Sequence, residues 1–249
     1  KNSGSKTAGV DKKTISDLNK WSDKKLINHV QRKLDWYVPN AVRRVEIPKD
    51  NGKKRPLGIP TIMDRLIQQC ILQVLEPICE AKFFKRSNGF RPTHSAENAI
   101  AQAERMIQNI GCYYVIDIDI HGFFDNVNHG KLLKQMWALG IRDKKLLSII
   151  SAMLKAEVAG IGFPEKGTPQ GGIISPTLAN MTLDGLEAVL KRRFKTHCKK
   201  GVYTSYKVHL IRYADDFVIT GASKELLQNE ILPIVREFLH ARGLTLSEE

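Results

Sequence analysis

The sequence predicts an α+β fold in which antiparallel strands carrying aspartates are backed by helices. Three observations predict it. "YYVIDIDI" (113–120) alternates with period two, setting Tyr114, Ile116, Ile118 and Ile120 against Val115, Asp117 and Asp119, as a strand does. "HLIRYADDFVITG" (209–221) places apolar strand-like runs on both sides of Asp215 and Asp216, the pattern of a hairpin. The stretches before and between them keep helical spacing.

Taken in order, residues 1 to about 20 are polar and lysine-rich and predict a loosely structured arm; 24–34 fit a helix. In "AVRRVEIPKDNGKKRPLGIP" (41–60), Val42, Val45 and Ile47 are strand-like, and Asp50-Asn51-Gly52 signals a hairpin turn. Leu66, Ile67, Cys70, Ile71, Val74, Leu75 and Ile78 then keep helical spacing over about 63–82. "SNGFRP" breaks that helix, and another follows over about 95–109. Helices also fit 129–139 and 143–156. "GTPQGGIISPTLAN" (167–180) is a Gly/Pro-punctuated loop entering a helix expected to run to about Phe194. A helix from about Lys224 to Ala241 follows the hairpin, with Asp215 and Asp216 expected in or beside its turn.

The 249 residues suffice for one sizeable core or two modest lobes. Lys and Arg number 39 against 26 Asp and Glu, a formal charge of +13, which points to a polyanionic partner, most simply nucleic acid. No run is long and apolar enough for a membrane span, and the polar, basic start is no signal peptide. Because the first residue is Lys1, the chain is expected to be excised from something longer. Cys70, Cys79, Cys112 and Cys198 form no C-x-x-C pair and no zinc spacing. Three of them read as small core residues, which suits a reducing, cytoplasmic setting.

Asp is a good turn former, so Asp215-Asp216 taken alone reads first as turn chemistry. Asp119 changes the weighing. An acidic strand end beside an acidic hairpin is a poor arrangement without a cation, and Mg²⁺ prefers oxygen ligands while keeping several waters. Two such ions, about 3.5–4 Å apart, make a phosphoryl-transfer site.

"RPLGIPTIMDR…NGFRP", "DIDIHGFFDNVNH", "GTPQGGIISPTLAN" and "YADD", in this order, resemble reverse transcriptases, and within them the enzyme encoded by bacterial group II introns, also called maturase. The likeness runs from "AGVDKKT" (8–14) through "GLTLSEE". It implies a right-hand polymerase: a palm with a split βαβ, ferredoxin-like antiparallel sheet over 93–125 and 166–249, fingers over 35–92 and 126–165, and an N-terminal extension over 1–34. It also implies that the thumb is missing, so that the chain by itself extends primers weakly or not at all. Asp119, Asp215 and Asp216 match the catalytic ligands of two Mg²⁺ ions, with Asp215 the stronger of the hairpin pair. Asp117 is read as a neighbour, and Asp125 as a turn or helix cap.

The same resemblance puts Gln170 and Phe124 beside the incoming nucleotide, and the basic hairpin on its triphosphate through Lys49 and Arg55, with Arg43, Arg44 and Lys53 as competitors for that contact. Phe123 and Phe124 are adjacent on a chain leaving a strand, so one should face inward: Phe123 as core, leaving Phe124 to exclude a 2′-hydroxyl. Arg91 is expected either to touch template or to pin a loop. The implied activity is RNA-directed DNA synthesis from dNTP on an RNA template with a DNA primer, in a protein that also binds its intron RNA and assists splicing and retrohoming. A homodimer is compatible with this. The alternatives are an RNA-binding splicing factor with an idle polymerase site, and a retron, diversity-generating or CRISPR-linked reverse transcriptase. The intact aspartates weigh against the idle site, and the motif wording favours the intron class.

Overall fold

The computed structural model describes residues 3–48, 52, 54–199 and 202–247. The chain forms two compact units, Lys1–Ile78 with Val127–Leu178 and Cys79–Asn126 with Ala179–Glu249.

In the first unit, helices Ile15–Leu18 and Asp23–Asp35 precede a two-stranded antiparallel hairpin, β1 (Arg43–Pro48) and β2 (Lys54–Ile59), with Val45 opposite Leu57. Helix Ile62–Glu80 follows, carrying the predicted apolar stripe, with Ile67 and Leu75 fully buried. Helices His129–Ala138 and Lys144–Leu154 pack together and bury Leu132, Met136, Ile150 and Leu154. Each starts on a side-chain cap. Asn128 Oδ1 accepts from Lys131 N, and Asp143 Oδ1 from Leu146 N, both at 2.9 Å, contacts that typically contribute about 1 kcal/mol.

In the second unit a three-stranded antiparallel sheet runs in the order β3-β7-β6, from β3 (Tyr114–Ile118), β6 (His209–Tyr213) and β7 (Asp216–Gly221). A separate small hairpin, β4 (His197–Lys199) with β5 (Val202–Thr204), was not apparent from the sequence pattern. Helix Ala96–Ile110 covers one face of the sheet, where Met106, Cys112 and Ile211 form a cluster with Ala99, Ala103 and Val218 against it. It ends at Gly111, whose N–H donates to Ile107 O at 3.2 Å and whose φ of +67° turns the next N–H, that of Cys112, back to Met106 O at 3.0 Å. Phe217 and Ile219 alternate to the other face and are 2% and 0% exposed.

Two helical expectations are corrected. The helix expected to reach Phe194 is two, Ser175–Leu183 and Leu186–Arg193, because Gly185 at φ +98° breaks the backbone run. The one expected over 224–241 contains a π turn, Leu227–Ile231, which buries Leu227 and Ile231. Of the cysteines, Cys79 and Cys112 are buried and Cys70 is half-buried. No described helix is long and apolar enough to cross a membrane.

Candidate active site

The second unit brings the aspartates of the alternating strand and of the hairpin to one end of its sheet. β3 pairs with β7, and the last registered pair is Ile118 with Phe217. One further step along that register puts Asp119 opposite Asp216. β6 joins β7 through a tight turn, with Tyr213 opposite Asp216, so the tip is Ala214-Asp215. Asp215 thus sits in the turn and Asp216 beside it as the first residue of β7, within the expectation that both acids lie in or beside the turn. Asp119 and Asp117 are exposed, while Ile118 and Ile120 are buried, as the alternation requires.

A residue that the motifs did not single out joins them. Ile120 bridges Leu246, and Ser247 N donates to Asp119 O at 3.0 Å while its hydroxyl donates to Asp119 Oδ2 at 2.8 Å. This fixes the carboxylate from a segment distant in sequence. The approach of residues 245–247 to the end of β3 had no local signal.

Partial burial pushes the Asp216 carboxyl above its ordinary value of 3.8, and Asp215, Asp119 and Asp117 add to the shift in that order. Like charges held this close favour a neutralising cation. Among the described residues, no three His, Cys, Asp or Glu side chains already converge into a closed metal site. The donors still fit Mg²⁺, a hard ion that takes only one or two protein carboxylates and fills the rest of its shell with water and phosphate oxygens.

The raised value has a sign. Between 3.8 and the higher native value, the folded protein binds the Asp216 proton more tightly than the unfolded chain, so stability falls as pH rises through that window. Without divalent ions, Asp216→Asn should therefore melt higher than the parent at pH 7, with the difference vanishing below the ordinary value. A lower melting temperature for the variant at pH 7 would contradict the crowding.

Phe123 and Phe124 both face inward, 3% and 8% exposed. The expectation that only one does is corrected, because Phe123–Asn126 is a helical turn and adjacent side chains there are not on opposite faces. Phe124 meets Phe90 and Phe123 edge-on, at ring separations of 6.1 and 5.3 Å. Asp125 lies within this turn, its N–H bonded to Gly122 O at 3.0 Å. Arg91 pins a loop: Nε and Nη2 clasp Glu80, and Nη1 donates to the carbonyls of Phe84 and Ser87 at 2.6 and 2.8 Å.

The first unit carries the other candidates. Lys49 lies outside the described residues. Arg55, on β2, donates from Nε to Gln170 Oε1 at 2.6 Å. The backbone repeats the link, Gly58 N donating to Gln170 O at 2.6 Å. Gly171, at φ +112°, runs so close to β2 that a Cβ would stand 2.5 Å from Gly58 O. The hairpin and the "TPQGG" loop thus form one joined surface that presents a cation and an amide together. Gln68 Oε1 accepts from Ile173 N at 2.7 Å and anchors the far side of the loop.

The profile of the reverse transcriptase (RNA-dependent DNA polymerase) family matches residues 47–249. The chain belongs to the reverse transcriptase family. Its similarity extends to protein YkfC of Escherichia coli (strain K12), 33% identical over 236 residues, covering 83% of this chain and 62% of that one. It is 37% identical over 218 residues to group II intron-encoded protein LtrA of Lactococcus lactis subsp. cremoris, covering 83% of this chain and 35% of that one. This reverse transcriptase chain thus spans less than two thirds of the length of both curated relatives. Telomerase from Candida albicans, solved in complex with a fragment of telomeric RNA, shares the fold alone: TM-score 0.62, 10% identity, over 90% of this chain and 44% of that one.

Proposed function

We propose that this reverse transcriptase chain belongs to an RNA-directed DNA polymerase of the group II intron class, which joins dNTP to a primer 3′-hydroxyl on an RNA template and also binds its intron RNA to assist splicing. One observation carries the reading: three aspartates from two separate motifs share one end of the β3-β7-β6 sheet, where burial first, and the neighbouring carboxylates after it, raise the Asp216 carboxyl. Asp119, Asp215 and Asp216 would hold two Mg²⁺ ions. Bound there, the ions would activate the primer hydroxyl and neutralise the leaving pyrophosphate.

The chain's own residues do the remaining work. Arg55 presents an exposed guanidinium suited to triphosphate oxygens, with Lys49 as its expected companion. Gln170 offers an amide that donates and accepts at once, held in place by Arg55. Residues 35–92 with 126–165 serve as fingers, 93–125 with 166–249 as palm, and 1–34 as an extension. The charge of +13 supports nucleic acid as the partner, and the likeness to LtrA supports the intron class.

Phe124 excludes the 2′-hydroxyl of a ribonucleotide, whose uncompensated burial costs about 1–3 kcal/mol, roughly tenfold to a hundredfold in selectivity. Phe124→Val in the full-length protein should raise ribonucleotide incorporation while deoxynucleotide incorporation persists. Matched single-nucleotide extensions measure the ratio, with Phe123→Val beside it. A ratio that moves only for Phe123→Val exchanges the two roles. Primer extension on RNA, run beside an intron-RNA binding assay, tests the function as a whole: RNA binding without extension would favour a splicing factor with an idle site.

A further inference from the structure

The tip of the β6–β7 hairpin is held by a closed ring of contacts inside the second unit. Arg212, on β6, is 4% exposed, and its Nη1 donates to the Ala214 carbonyl and to Asn180 Oδ1, both at 2.9 Å. Asn180, 1% exposed, turns its amide nitrogen to Gly89 O at 2.8 Å. Gly89 closes the ring by lying against Ala214. A Cβ on it would stand 2.8 Å from Ala214 Cα and 3.0 Å from Ala214 Cβ.

Ala214 is the residue that needs holding. Its φ is +57°, the left-handed region that side-chain-bearing residues avoid. Such a turn persists only when its surroundings impose it, and the next residue is Asp215. A buried guanidinium is a poor space-filler, because desolvating it costs more than burying a leucine or methionine. Burial pulls the Arg212 pKa well below its ordinary value, to about 10, while Asp184 and Asp215 attract the charge. Its presence calls for a role that an apolar side chain could not fill.

We infer that Arg212 is a positioning residue for the carboxylate cluster: by clamping the left-handed turn at Ala214, it sets where Asp215 points and thereby the affinity for divalent ions. This rests on the reading of Asp215 as an ion ligand.

The test reads ion binding directly, by titrating the purified protein with Mn²⁺ and following free Mn²⁺ by its EPR signal, beside the Mg²⁺ dependence of primer extension. Arg212→Lys should melt within a few degrees of the parent and keep its RNA affinity. Its Mn²⁺ dissociation constant and half-saturating Mg²⁺ should rise about tenfold, the scale seen when a residue supporting a metal ligand is removed. The rate at saturating ion should fall much less. Adding Ala214→Gly, which takes positive φ without strain, should recover part of the affinity. Unchanged ion binding in folded Arg212→Lys overturns the inference. Should that variant not fold, Asn180→Ser opens the ring one bond away with the cation kept, and the same shift is expected; unchanged affinity there overturns it equally. Asp215→Asn separates the two readings. If it loses ion binding while the ring variants do not, only the positioning role fails. If it binds ions like the parent, the ligand reading fails and the inference with it.

Discussion

Asp215→Asn in the full-length protein should cut DNA synthesis by roughly a thousandfold or more while RNA binding stays near the parent value. The variant is nearly isosteric, and Asp215 sits in a two-residue turn rather than in the apolar core, so the sheet should keep its pairing. On the proposed reading, what disappears is one negative ion ligand at that end of the sheet. About 4 kcal/mol of lost transition-state stabilisation is a thousandfold in rate, within what a bound metal contributes. Single-turnover extension with saturating dNTP measures the loss, and a filter-binding titration with template RNA checks the fold. Extension within about tenfold of the parent would remove Asp215 from the metal site. The same substitution at Asp216 should cost less activity, since Asp216 heads β7 and already carries a raised carboxyl.

The largest stability effect is expected at Arg91. Its side chain is 5% exposed and clasps Glu80, which is 26% exposed, through Nε and Nη2, with distances from 2.7 to 3.1 Å. Nη1 meanwhile satisfies the carbonyls of Phe84 and Ser87. Arg91→Ala would strand a largely buried carboxylate and two carbonyls at once, and breaking such a pair typically costs about 3–5 kcal/mol. Urea denaturation should show a loss of that size. Arg91→Lys should recover only part of it, because an ammonium cannot reproduce the planar fork that meets carboxylate and carbonyls together. A loss below about 1 kcal/mol would mean that the loop is held by other contacts, and would reopen Arg91 as a template contact.

Much of this was legible because it was written locally. The period-two alternation of 113–120 foretold both the strand and the burial of Ile118 and Ile120 beneath exposed Asp117 and Asp119. Helical spacing foretold Ile62–Glu80 to within two residues at each end, even with Pro77 inside it. What escaped depended on partners far away in the chain. Ser247 reaches Asp119 across 128 positions, and Asn180 reaches Gly89 across 91. Arg212 does carry a signal, as a charge following the apolar pair Leu210-Ile211 within a strand, but its partner Asn180, and Gly89 beyond that, are far away in the chain. The break at Gly185 has only a weak local signal, a single glycine inside an apolar helical pattern, yet its backbone freedom ends the helix. Strand geometry sets Phe123 and Phe124 on opposite faces, but at these residues the chain has already turned into a helix.

The central claim is that the aspartates at the end of the β3-β7-β6 sheet hold the ions for template-directed DNA synthesis. Its most direct test is single-nucleotide extension of a DNA primer on an RNA template by the full-length protein, with Mg²⁺ titrated from zero. The account predicts incorporation of only the complementary dNTP, dependent on Mg²⁺ and absent in Asp215→Asn. A protein that binds the primed RNA template tightly yet adds no nucleotide with Mg²⁺ or Mn²⁺, or one whose incorporation survives Asp215→Asn, would contradict it.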